Sequence, residues 1–160
     1  DTVLFTDTVK NNLKYSNDNA SDADMVNAAI MSNCDEMIRN LPSGYDTVLT
    51  QSGQNISQGQ KQLLTIARAF VAQPKVLILD EATSSVDTRT EKKIQDAMVK
   101  LMHNRTSLII AHRLSTIRDA DMIVVMDKGH IVETGKHEEL LKAKGKYYDL
   151  YMTQFEGKNT

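Results

Sequence analysis

"KVLILDEATSSVD", Lys75 to Asp87, decides the fold. Val76 to Leu79 is an unbroken apolar run of strand length, and acids follow it at once. Such a run fits a central parallel strand buried on both faces, as in sheets covered by helices on each side. The neighbouring sequence supplies those helices. Upstream, Leu63, Leu64, Ile66, Ala67, Phe70 and Val71 mark one face of a helix that should stop before Pro74. Downstream, Ile94, Ala97, Met98 and Leu101 return to helical spacing, and "SLIIAH" is a second buried-strand candidate. "MIVVMDKGHIVETG" reads as two strands joined by a turn at Asp127 to Gly129, and helical patterns follow over Lys136 to Ala143 and Tyr147 to Phe155. Alternating strands and helices predict an α/β architecture, with its ligand at the C-terminal ends of the strands.

The N-terminal part is helical in pattern. Asn17 to Ala23 is a polar loop, Ser21 or Asp22 caps the helix marked by Met25, Ala28, Ala29 and Ile30, and Pro42 and Gly44 end that region. The 160 residues suffice for one domain with a core, or for part of a larger one. A net charge of -2 with interspersed signs shows no basic stripe, which argues against a nucleic-acid partner. The single cysteine, Cys34, lies among helix-compatible apolar residues and reads as a small buried hydrophobe. No apolar run reaches the roughly 18 residues that a membrane-crossing helix needs. The chain begins inside patterned sequence with no starting Met, as if cut from something longer.

The chemistry-bearing residues cluster at segment ends. Asp80 and Glu81 close an apolar strand with adjacent carboxylates, so one can hold Mg²⁺ while the other orients or deprotonates a water. The bland reading is a solvated turn. His112 ends the second strand; such a histidine is more often structural than catalytic, but at a shared sheet edge it would approach Glu81. "NISQGQKQLL", from Asn55, is a polar, glycine-containing loop that runs into a helix, an arrangement that presents backbone N–H groups to phosphate. Other chemistries are excluded: "HEELL" lacks the second His of a zinc-protease helix, and no Gly-x-Ser-x-Gly elbow occurs. A phosphate-binding P-loop is also missing. Its nearest imitation, "GHIVETGKH", has one residue too many between Gly129 and Gly135, and His137 stands where the hydroxyl belongs.

In order and spacing, the motifs resemble the nucleotide-binding domain of an ABC transporter. "ISQGQ", Ile56 to Gln60, is similar to that family's signature, usually Leu-Ser-Gly-Gly-Gln; "VLILDE" resembles its Walker B strand, "SSVD" its D-loop, and His112 in "LIIAHRLSTI" its switch histidine. "LPSGYDT" and "DEATSSVDTRTE" look most like bacterial multidrug or lipid exporters. The soluble members that act on ribosomes more often read "DEPTNHLD", and the chromosome and DNA-repair members interrupt the domain with a long coiled coil.

The resemblance implies a partial P-loop NTPase (RecA-like) core with an α-helical subdomain: residues 1–55 as the subdomain and 56–160 as the C-terminal part of the core. It implies an ATPase with ATP and Mg²⁺ as cofactors, Asp80 on the metal, and Glu81 and His112 as catalytic groups. Ser57, Gln58, Gly59 and Gln60 would meet ATP held by a second, head-to-tail nucleotide-binding domain, with Asp87 linking the two sites. The other implied partner is the transmembrane domain of the same parent chain, at the cytoplasmic face of the cell membrane. The aromatic that stacks on adenine, the P-loop and a glutamine would all precede Asp1. Two residues depart from the family pattern. Gln58 replaces the first signature glycine, costing on the order of 1 kcal/mol if positive φ is needed there. Gln51 stands where exporters often carry a glutamate thought to touch the coupling helices. Two alternatives remain: a non-catalytic fragment that only pairs with an intact domain, and a soluble ABC ATPase acting on nucleic acid or ribosomes.

Overall fold

The computed structural model describes the backbone of residues 3–50, 53–80, 86–110 and 117–156. Chain contacts divide it into two compact units, Asp1–Ile109 and Ile110–Thr160. Helices and strands are mixed, as the α/β reading expects.

In the first unit, α1 (Val9–Lys14), α2 (Asp22–Met31) and α3 (Asp35–Arg39) precede the long helix α4 (Gln58–Ala72). Ser21 caps α2 with a capping box, its hydroxyl accepting from the Asp24 N–H. α4 ends where Gln73 turns left-handed at φ 48°, just before Pro74. Nearly the whole circumference of α4 is used. Leu63, Leu64 and Ala67 join a core with Leu4, Val9, Leu13, Met25, Cys34, Ile38, Leu49 and Ile56. Ile66, Phe70 and Val71 pack instead with Leu77, Ala97 and Leu101. Each fully buried leucine here contributes about 2 kcal/mol relative to exposure. Residues on both sides of the 55/56 division thus share one core. Cys34 is fully buried, and burial pushes its thiol up to about 12.

The segment leading into α1 is held by one arginine of α4. Arg68 donates from Nη1 to the Val3 carbonyl (2.8 Å), from Nε to the Asn12 carbonyl (2.9 Å) and from Nη2 to Asn12 Oδ1 (3.0 Å). Its guanidinium also lies over the rings of Phe5 and Tyr15. Asn12, buried at 1% exposure, in turn accepts from the Phe5 N–H and donates to the Phe5 carbonyl.

The strand β1 (Val76–Asp80) pairs with β2 (Thr106–Ile110), and α5 (Thr88–Met102) connects them. Here the expectation of two-sided burial is corrected. Leu77 is buried against α4 and α5, but Val76 and Ile78 are 61% and 71% exposed, and Leu108 on β2 is 59% exposed. Only one face of this sheet is covered. An apolar side chain records what a face is suited to meet, and nothing among the described residues meets this one.

In the second unit, β3 (Ile123–Asp127) and β4 (His130–Gly135) form an antiparallel hairpin. Lys128 and Gly129 both have positive φ, 50° and 80°, as a tight two-residue hairpin turn requires. α6 (His137–Ala143) and α7 (Lys146–Glu156) follow, and Ile123, Val125, Leu140 and Tyr147 make the core. Glu133 of β4 accepts from the backbone N–H groups of Lys146 (2.6 Å) and Tyr147 (3.0 Å), so a strand carboxylate caps the start of α7.

Candidate functional site

The loop before α4 is wound tightly on itself. Gly53 (φ 85°) and Gln54 both donate to the Thr50 carbonyl, while the Asn55 side chain accepts from the Thr50 N–H and donates to the Val48 carbonyl. Ile56 is buried at 8% exposure and anchors the loop to the core, which leaves Ser57 as the first exposed residue of the turn into α4. Ser57 is the N-cap, with φ -70° and ψ 161°. Its hydroxyl accepts from the Gln60 N–H at 3.2 Å, and Gln60 Oε1 accepts from the Ser57 N–H at 2.8 Å. This capping box gives α4 a sharp start at Gln58. The Ser57 O–H proton can still donate to an incoming anion.

No acid of its own stands at this helix end. The first turns of α2, α5 and α6 carry acids (Asp22 and Asp24; Glu91; Glu138 and Glu139), whereas those of α1 and α4 carry none. Its positive end therefore has no carboxylate of its own helix beside it.

Gln58 is the first residue of α4, with helical backbone, and does not belong to the positive-φ set. The strain considered for a side chain at this position is absent. Gly59 is needed for a different reason. A Cβ there would meet Thr90 Cγ2 at 2.5 Å and Val86 Cγ1 at 2.9 Å, so the first turns of α4 and α5 touch through this hydrogen-only side. Asp87 N-caps α5, its Oδ1 accepting from the Thr90 N–H at 3.0 Å. The backbone N–H and the hydroxyl of Thr90 hold the Asp87 carboxyl below the usual carboxylate range.

The structure thus brings Ser57–Gln60 together with Asp87 through the Gly59–Thr90 contact. Asp80 ends β1 with an exposed carboxylate, a hard oxygen donor of the kind Mg²⁺ takes. Glu81, His112 and Gln51 lie outside the described residues. Two residues escape the sequence reading. Thr90 carries a local signal, since Asp87 three positions earlier is a capping residue; Arg68 looks like any polar residue on an amphipathic helix.

Known proteins share this pattern. A family profile described as "ABC transporter" matches residues 2–84. An uncharacterized ABC transporter ATP-binding protein of Bacillus subtilis is 55% identical over 156 residues, 98% of this chain and 26% of that protein. The ATP-dependent lipid A-core flippase of Syntrophus aciditrophicus is 51% identical over 154 residues, 96% of this chain and 26% of that protein. The solved structure of a bacterial Atm1-family ABC exporter with ATP bound superposes with a TM-score of 0.84 at 43% identity, covering 95% of this chain and 27% of that one. The chain spans about a quarter of the length of the curated relatives it matches.

Proposed function

The chain belongs to the ABC transporter family, and from that membership we propose that it forms the lid and hydrolytic edge of an ATP site shared by two nucleotide-binding domains of an exporter. The observation that carries this reading is the N-terminus of α4: exposed, capped by Ser57, and free of acids in its first turn. Such an end suits a phosphate presented from another molecule. The Ser57 hydroxyl and the Gly59 N–H would donate to the γ-phosphate, with Gln58 and Gln60 flanking it. Asp87 would reach across to the partner domain.

ATP and Mg²⁺ supply the transferred phosphoryl group and the charge that steadies its oxygens. Asp80 would hold the metal, Glu81 would orient the attacking water and take its proton, and His112 would fix that water and the γ-phosphate. Residues 1–55 and 56–160 correspond, in this reading, to the helical subdomain and the later part of the RecA-like core. A transmembrane domain of the same parent chain is the second partner, which places the chain at the cytoplasmic face of the cell membrane. In the full transporter, Glu81→Gln should keep ATP binding and lower turnover at least about 100-fold. Wild-type turnover in that variant would remove Glu81 from its role.

A second reading concerns the 160 residues by themselves. They contain no Gly-x-x-x-x-Gly-Lys-Ser/Thr segment, so little holds the triphosphate in cis. The isolated chain should pair with an intact domain and show no ATPase of its own. Robust Mg²⁺-dependent hydrolysis by a clean preparation of it would refute this.

A further inference from the structure

Ser57 and Asp87 are the N-caps of two 15-residue helices, and a single residue, Thr90, touches both helix ends, one through its backbone N–H and the other through its methyl. Thr90 donates its N–H to Asp87 Oδ1 at 3.0 Å, while its Cγ2 occupies the place where a Cβ on Gly59 would come within 2.5 Å. In a helix, a β-branched side chain has few χ1 choices. The Thr90 hydroxyl adds a second hydrogen bond to the Asp87 carboxyl beside that of the backbone N–H, while the methyl faces Gly59 of α4. We propose that Thr90 is a positioning residue: it locks the Ser57 end of α4 to Asp87, so that the phosphate-facing cap and the acid that reaches the partner move as one body. This rests on the ATP site proposed above.

The two arms of Thr90 can be removed separately. Thr90→Ser deletes the methyl and keeps the hydroxyl, whereas Thr90→Val deletes the hydroxyl and keeps a methyl. Gly59→Ala drives a methyl into Thr90, the nearer of two contacts, with Val86 Cγ1 the other at 2.9 Å. If Gly59 were small only to admit phosphate, residue 90 would not matter to that variant.

The test is made on the full transporter, reading kcat and KM for ATP and, independently of turnover, hydrogen exchange of the Gln58 to Leu63 amides. Gly59→Ala should lower kcat about tenfold and speed exchange in that turn, and adding Thr90→Ser should recover part of both. Thr90→Val should lower kcat by about threefold in the wild-type background and have no further effect on Asp87→Ala, because the two side chains act as one unit. Failure of Thr90→Ser to relieve Gly59→Ala in both readouts, or independent multiplication of the Thr90→Val and Asp87→Ala losses, overturns the lock. A wild-type transporter without Mg²⁺-ATP turnover overturns the ATP reading instead, and the exchange rescue still decides the lock.

Discussion

Asp22 shows how far a single exposed carboxylate can be moved by its neighbours. Lys14 Nζ lies 2.5 Å from Oδ1 and Lys10 Nζ 2.8 Å from Oδ2, and hydrogen bonds from Lys10 and then Lys14 lower its pKa from 3.8 to about 2. Because the folded value is depressed, the stabilisation is complete above about pH 4 and is lost as pH falls through about 2. The group is solvent-exposed, so the effect on stability is small and salt-dependent. An NMR titration should place the Asp22 carboxyl midpoint near 2, and replacing both lysines by Met should return it toward 3.8. An unmoved midpoint in the double variant would assign the depression to something else.

At the scale of elements, the start of α7 depends on Glu133, and Gly145 is what lets it approach. A Cβ on Gly145 would fall 2.0 Å from Glu133 Oε1. The carboxylate is the end of a flexible side chain and can swing aside, but then the Lys146 and Tyr147 N–H groups lose their cap. Gly145→Ala should therefore destabilise the second unit by about 1–2 kcal/mol, seen as faster exchange of the first-turn amides of α7. The effect should vanish when Glu133 is already Ala; a full additive loss would mean that the clash is with backbone. This clasp was not legible beforehand, since the residues lie in different segments without shared periodicity. Local rules were legible. Ser21 caps as its residue type suggests, and α4 stops just before Pro74. What failed was two-sided burial of β1: "VLIL" shows that both faces of the strand are apolar, and composition cannot say which segment covers each. Gly59 likewise advertises a need for smallness without naming Thr90, thirty-one positions on, as its cause.

For the whole molecule, the open apolar face of the β1–β2 sheet sets how the isolated chain behaves. Val76, Ile78 and Leu108 present hydrocarbon to water beside strand edges, a combination that favours association. The purified chain should bind an apolar-surface dye and aggregate on warming, and Ile78→Thr should reduce dye binding while changing stability by no more than about 0.5 kcal/mol. Absence of dye binding in the wild-type chain would mean that this face is already covered. Arg68 carries a quieter consequence. Among the described residues it grips main-chain carbonyls at Val3 and Asn12, and at Asn12 a side-chain oxygen as well. A guanidinium that reads carbonyl oxygens follows the path of the chain and is blind to its lettering. In a saturation library of this protein, Val3 should accept many letters and Arg68 and Asn12 very few.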